Sequence, residues 1–158
     1  MEVLLVQEGP DFELLDGRLY PRHRVNHARM SARQFVYRVV APLAAGHGAV
    51  VIGPTVRLGW PDSDTVLAPD VIFLEGESEV PDLVFEVRGP HDDEVFRRRK
   101  VGRMLEAGTR LVVEVDPLAR TLRAFGAAGS RLFGPGDRFV TEAFGWLAFD
   151  VNAAFEPT

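Results

Sequence analysis

The chain has 158 residues, of which 46% are hydrophobic and 26% charged, with a net charge of −5 and no cysteine. This length supports one buried core, so we expect a single globular domain over residues 1–158. The absence of cysteine excludes disulfides, thiolate chemistry and cysteine-ligated zinc, which leaves Asp, Glu and His as the strong side-chain metal ligands.

The distribution of apolar residues argues against a membrane protein. All apolar runs are shorter than the roughly 18 residues that a membrane-spanning helix needs. The first residues, MEVLLVQEGP, lack the basic and long apolar regions of a signal peptide. We therefore expect a cytoplasmic protein with no membrane partner.

The first predicted element is a hairpin in FELLDGRLY. Asp16-Gly17 stands between apolar flanks, which is a strong hairpin signal, and it places Glu13 on the strand that enters the turn. Asn26 is then expected to cap a helix from His27 to Ala45. The apolar stripe of this helix is predicted to consist of Ala32, Phe35, Val36, Val39, Val40 and Leu43.

The middle and end of the chain predict a mixed succession of strands and one more helix. AVVIGP and TVRLGW indicate short strands, TVLAPDVIFLEG a longer one, and DLVFEVRGP a strand ended by glycine and proline. A second helix is expected to begin at His91 or Asp92, to run to about Ala107 and to stop at Gly108. TRLVVEVDP, RTLRAFGA and SRLFGPG predict three more strands, and GWLAFDVNAAFEP a strand or a short helical tail.

Positive charge is distributed unevenly along the chain. Residues 17–61 contain no Asp or Glu but seven arginines, which leaves a net charge of −12 for the remainder. Such asymmetry is typical of a protein that presents one surface to a polyanion. Solvated surface arginines in an arginine-rich proteome are the alternative. Arg29 and Arg33 lie four residues apart on a face of the first helix other than its apolar stripe.

Lys100 is the sole lysine among the 18 basic residues. A position that keeps lysine where arginine is otherwise used can require a compact ammonium, although chance retention is the alternative. Phe96, Lys100 and Met104 are spaced by four on the second helix, so Lys100 lies on the apolar face. An inward lysine needs carboxylate partners or a lowered pKa.

Asp70 and Glu86 are the candidate partners, because each interrupts an otherwise apolar strand. If the two strands are neighbours, both carboxylates can lie beside the ammonium. Two carboxylates with a backbone carbonyl and waters suit Mg²⁺ or Mn²⁺, which would acidify a water while the lysine orients or deprotonates the nucleophile. A buried salt bridge or strand-end caps are the alternative explanation for either carboxylate alone.

The order of ELLDGRLY, LAPDVIFL, DLVFEVRGP, the Lys100 helix, EAGTRLVVEVDP and FGWLAFDVNAAF resembles the bacterial Uma-two family, described as restriction endonucleases, within the PD-(D/E)xK nuclease superfamily. The resemblance spans about residues 12–155. It implies an α/β (α+β) fold with a mixed central sheet flanked by helices. The implied activity is metal-dependent endonucleolytic cleavage of DNA by a homodimer.

The resemblance also implies roles for individual residues. Asp70, Glu86 and the carbonyl of Val87 match metal ligands, and Lys100 matches a catalytic lysine moved onto the helix because the usual strand position is occupied by Arg88. Glu13 and His27 match positions that contact a metal-bound water or a phosphate. We expect the basic residues of this region to bind DNA phosphates, namely Arg22, Arg29, Arg33, Arg88 and Arg97.

Two departures from the family pattern stand near these residues. Gly89-Pro90 replaces the usual Ser-Pro, and Met104 replaces a tyrosine that could donate a hydrogen bond near Lys100. A catalytically inactive module that binds nucleic acid or protein is therefore the alternative function, since fold does not fix activity. A zinc site at the HxxxH spacing of His23 and His27 is disfavoured, because only His27 falls inside the predicted helix.

Overall fold

The computed structural model describes residues 12–22, 27–59, 63–90 and 92–156. The helices are α1 (His27–Ala44), α2 (Glu94–Ala107) and a terminal 3-10 helix (Val151–Ala154). The strands are β1 (Phe12–Leu15), β2 (Arg18–Pro21), β3 (Ala49–Ile52), β4 (Val56–Leu58), β5 (Thr65–Leu67), β6 (Val71–Leu74), β7 (Leu83–Val87), β8 (Leu111–Asp116), β9 (Thr121–Gly126), β10 (Gly129–Phe133), β11 (Arg138–Phe139) and β12 (Phe149–Asp150).

The strands form three sheets. A four-stranded sheet has the order β2-β1-β5-β4, a six-stranded sheet has the order β10-β9-β8-β7-β6-β3, and β11 pairs with β12. In the six-stranded sheet β7 and β8 are parallel and all other pairs are antiparallel. Because parallel neighbours need a long crossover, α2 fills the connection between β7 and β8. The expectation of a mixed sheet flanked by helices is confirmed.

The predicted hairpin forms as β1 and β2. Asp16 and Gly17 have φ values of 50° and 77°, the left-handed conformations that a two-residue turn of this kind requires. The turn places Glu13 on β1 with its side chain buried.

The prediction of one long strand in TVLAPDVIFLEG is wrong. It divides into β5 and β6, which belong to different sheets. Pro69 has no N–H to donate to a ladder, so pairing is interrupted at this residue. The N–H of Ala68 donates instead to Oε1 of Glu13 at 2.8 Å. The break leaves Asp70 immediately before β6.

The two helices cover opposite faces of the six-stranded sheet. Side chains alternate across a strand, so Phe85 of β7 packs with α1 in one apolar cluster while Val84 packs with α2 in another. The second cluster also contains residues of β1, β4 and β5, so the four-stranded sheet closes over α2.

Both predicted helices are close to their predicted bounds. α1 ends one residue before the predicted Ala45, and its buried residues are Ala32, Val36, Val40 and Ala44. α2 begins later than expected: Asp93 is the cap, and its carboxylate accepts the N–H of Phe96 at 2.8 Å. Gly108 ends α2 with a φ of 114°. The predicted cap at Asn26, together with His23 and His91, lies outside the described residues.

Among the described residues, no helix is both long enough and apolar enough to span a membrane.

Gly48 fixes the exit of α1 toward β3, and we predict that its replacement destabilises the fold. An alanine Cβ at this position would overlap the backbone oxygen of Leu74 and lie 2.7 Å from a ring carbon of Phe73. Gly48→Ala should therefore lower the free energy of unfolding in urea by about 2 kcal/mol. Gly102→Ala is the control, because its Cβ would meet nothing within 4 Å and helix propensity favours alanine. Equal stability of the two variants would contradict the packing at Gly48.

Candidate functional site

Asp70 is a fully buried carboxylate bound by two arginines of α1. Nε and Nη2 of Arg33 donate to its Oδ1 at 3.0 and 2.7 Å, and Nη2 of Arg29 donates to its Oδ2 at 3.1 Å. The backbone N–H of Val87 also donates to Oδ2, at 2.8 Å. Both carboxylate oxygens therefore have partners.

These partners keep Asp70 ionised. Burial alone raises the pKa of the carboxyl, but the positive charges and hydrogen bonds of Arg29 and Arg33, with the N–H of Val87, outweigh burial and lower the pKa below its usual value. Burial likewise opposes the charge of Arg29, and Asp70 raises the pKa of that guanidinium above its usual value. Asp70 and its two arginines form a charged unit that joins α1 to β6 and β7.

Lys100 is buried at the centre of a second charged unit. Its Nζ lies 2.6 Å from Oε1 of Glu13 and 2.9 Å from Oε1 of Glu86. Burial lowers the pKa of Lys100, but the two carboxylates outweigh burial and raise it above its usual value. The predicted inward position and the need for carboxylate partners both agree with this geometry, although the partners are Glu13 and Glu86, and Asp70 pairs with arginines.

Glu86 is the least compensated member of this second unit. Burial raises the pKa of Glu86 to about 7, and the neighbouring charges of Asp70 and Glu13 act in the same direction, while Lys100 opposes them. Oε1 of Glu86 is in contact with Nζ of Lys100 at 2.9 Å and has no other polar partner among the described residues. Burial is the largest of these effects, so Glu86 holds a proton to higher pH than an exposed glutamate does.

A cavity of about 260 Å³ opens over this region. Its lining includes most of the residues that the sequence selects, namely Glu13, Arg22, Arg29, Glu86, Val87, Arg88, Arg97 and Lys100. Asp70, Arg33 and His27 do not line it. His27 is exposed at the start of α1, and the other two lie in the buried ion pairs.

The predicted phosphate-binding residues differ in their surroundings. The side chains of Arg29 and Arg33 are only 12% and 11% exposed, because both are bound to Asp70. Arg88 is exposed and pairs with Asp116 at 3.4 Å. Arg97 lines the cavity, and its buried Nε has no hydrogen-bond partner among the described residues. Phosphate binding by all of them, and by Arg22, stays a prediction.

Glu114 is a carboxylate of the cavity that the sequence analysis did not select. It lies on β8 directly opposite Glu86 of β7 and is 7% exposed. A signal existed in the sequence, because Glu114 interrupts the apolar run LVVEV as Glu86 interrupts LVFEV. The resemblance carried no role for this position, and the interruption alone did not select it.

The carboxylates fit a hard divalent cation only in part. Glu86 lines the cavity, as a metal ligand must, although its buried Oε1 lies 2.9 Å from Nζ of Lys100. Asp70 has no oxygen without a partner, so its predicted coordination requires an arginine to move. Val87 lines the cavity, and its backbone N–H donates to Asp70. The described residues contain no group of three or more His, Asp or Glu arranged to hold a metal.

A family model described as "Uma2: Putative restriction endonuclease" matches residues 1–149, and the chain belongs to this family. Its fold is similar to a crystal structure described as a putative nuclease belonging to DUF820 from Anabaena variabilis, with a TM-score of 0.79 and 14% identity. The match covers 91% of this chain and 89% of that one. A search of curated proteins gave no match.

The raised pKa of Glu86 predicts how the stability of the protein depends on pH when a metal chelator is present. A carboxyl whose pKa is raised on folding stabilises the protein fully below its ordinary pKa, and this contribution is lost as pH rises through about 7. Between pH 5 and pH 8 the wild type should therefore lose about 2 kcal/mol of unfolding free energy relative to Glu86→Gln, which cannot titrate.

Urea denaturation at the two pH values measures this difference. Glu77→Gln, at an exposed position remote from the cavity lining, is the control and should follow the wild type. If the difference in unfolding free energy between the wild type and Glu86→Gln is the same at both pH values, ionisation of Glu86 does not destabilise the protein.

Proposed function

We propose that the protein is a divalent-metal-dependent endonuclease that hydrolyses phosphodiester bonds, with DNA as its substrate. The observation that supports this most strongly is the position of Lys100, whose ammonium lies within 3 Å of Glu13 and Glu86 at the wall of an arginine-lined cavity. The family and the similar structure support nuclease activity in general. The metal, the DNA substrate and the roles below are our proposal.

Lys100 acts as a charged donor in this proposal. Its pKa is raised, so it remains protonated at neutral pH and cannot serve as the base that deprotonates water. A fixed ammonium can instead orient a water molecule and stabilise negative charge that develops on the phosphate oxygens. Glu13 and Glu86 hold the ammonium in place, because both are anchored on strands beneath α2.

The cavity mouth provides groups suited to a nucleic-acid strand. Arg88 and Arg97 supply guanidinium donors for phosphates, which Arg is well shaped to bind. Tyr20 and Phe96 line the same cavity and stack on each other with ring centroids 4.4 Å apart. Their apolar surface can contact a sugar or base next to the phosphate that Lys100 faces.

Restriction-endonuclease-like proteins generally use divalent metals, and the proposed ligands are Asp70, Glu86 and the carbonyl of Val87. A bound Mg²⁺ or Mn²⁺ would supply an acidified water and charge neutralisation at the phosphate. Asp70 can take part only if Arg29 or Arg33 releases an oxygen. We further propose a homodimer, as the family resemblance implies, and a cytoplasmic location, as expected from the short apolar runs.

A specific observation favours a second candidate, a catalytically inactive module that binds nucleic acid. Arg29, Arg33 and Val87 satisfy both oxygens of Asp70, so its charge is balanced without a metal. A chain that kept the nuclease fold and lost the chemistry could retain this arrangement. The two candidates differ in whether the wild type has any cleavage activity to lose.

Replacement of Lys100 tests the endonuclease proposal. Lys100→Met retains a stem of similar length but removes the ammonium, and it should reduce plasmid nicking with Mg²⁺ or Mn²⁺ by about 100-fold or more. Plasmid affinity should change little, since Lys100 is buried and the proposed phosphate contacts belong to the arginines. Arg98→Met is the control, because it removes an exposed charge of the same helix.

Circular dichroism must show that both variants are folded. Nicking by Lys100→Met at the wild-type rate would contradict the proposed role of the ammonium. A folded wild type that binds plasmid but does not nick it with either ion would favour the inactive module.

A further inference from the structure

Glu114 is buried but has no side-chain partner in the part of the chain that the structure describes. It is 7% exposed, it lines the cavity, and it makes no hydrogen bond or ion pair with the described residues. Its neighbour across the antiparallel ladder is Arg123, but no ion pair joins the two side chains. A largely buried carboxylate without a protein partner is unfavourable, and Glu114 meets the cavity, where a cation or water can reach it.

The position of Glu114 is fixed by strand register. β7 and β8 are parallel, and Glu86 stands directly opposite Glu114, so both side chains project from the same face of the sheet. Neighbouring strands lie about 4.8 Å apart, which is close enough for two carboxylates to share one cation. Both residues line the cavity that Lys100 also faces.

Glu114 differs from the other inner carboxylates because no described cation forms an ion pair with it. Asp70 pairs with Arg29 and Arg33, and Lys100 pairs with Glu13 and Glu86. Arginines line the same cavity, and Arg29 acts on Glu86 at longer range. Glu114 is therefore the carboxylate of this group whose charge no direct ion pair balances among the described residues.

We propose that Glu86 and Glu114 together bind a divalent cation of the Mg²⁺ class at the floor of the cavity, and that this position fills while Arg29 and Arg33 remain on Asp70. Two carboxylate oxygens with waters completing the shell suit such an ion. No His of the described residues lines the cavity and the chain has no Cys, so this donor set favours a hard ion over zinc.

This inference deepens the proposed function and rests on it for its biological meaning, because the cation would lie beside the lysine and the phosphate-binding arginines. It assigns Glu114 as a ligand of the cation. Asp70 keeps its two arginines while the cation binds to the protein without nucleic acid. The binding itself can be measured without nucleic acid and without turnover.

The test is titration of Mn²⁺ into the DNA-free protein, followed by calorimetry and by electron paramagnetic resonance of the unbound ion. Glu114→Gln preserves the shape of the side chain and should weaken Mn²⁺ binding by about tenfold or more, as should Glu86→Gln. Asp70→Asn should change the affinity by less than about threefold if it folds. Glu77→Gln removes an exposed carboxylate as the matched control and should bind as the wild type does.

The outcomes separate this inference from the proposed function. Wild-type affinity in Glu114→Gln, or no Mn²⁺ binding by the folded wild type, would overturn the inference. Should Asp70→Asn not fold, the comparison of Glu114→Gln with Glu77→Gln decides alone. Plasmid nicking by the same samples is measured separately. If Glu114→Gln binds Mn²⁺ as the wild type does and the wild type still nicks plasmid, the endonuclease proposal stands without this cation position.

Discussion

The burial of Asp70 is the constraint on which the site depends. A buried carboxylate is tolerated only with compensating charge and hydrogen bonds, and Arg29 and Arg33 of α1 supply both. Because Asp70 also accepts the N–H of Val87, the same carboxylate sets the distance between α1, β6 and the end of β7. Glu86 is one residue from that end, so the anchor also places the carboxylate that faces Lys100.

The charged groups consequently separate into two sets with different balance. At Asp70 two guanidinium groups serve one carboxylate, whereas Lys100 alone serves Glu13 and Glu86, with Glu114 beside them. In the first set both oxygens of the carboxylate have partners, whereas in the second set burial and the charges of Asp70 and Glu13 raise the pKa of Glu86. A site that attracts cations is expected in the second set, next to the cavity where a phosphate can enter.

The sequence predicted the elements well because their signals are local. The Asp16-Gly17 turn, the spacing of Lys100 on α2 and the stop at Gly108 each follow from a few neighbouring residues. The pairing of strands is not local, so the change of sheet at Pro69 was missed. For the same reason the sequence could propose Asp70, Glu86 and Lys100 as a group. It could not show that Asp70 pairs with arginines instead of Lys100, or that Glu114 lies opposite Glu86.

A double-mutant cycle between Asp70 and Arg33 tests the central claim most directly. The free energy of unfolding in urea would be measured for the wild type, Asp70→Asn, Arg33→Gln and the double variant. If this ion pair anchors the site, the two substitutions are coupled by at least about 1 kcal/mol, so the double variant is more stable than additivity requires. Effects that simply add would contradict the account, because they would show that the two side chains do not stabilise each other in the folded protein.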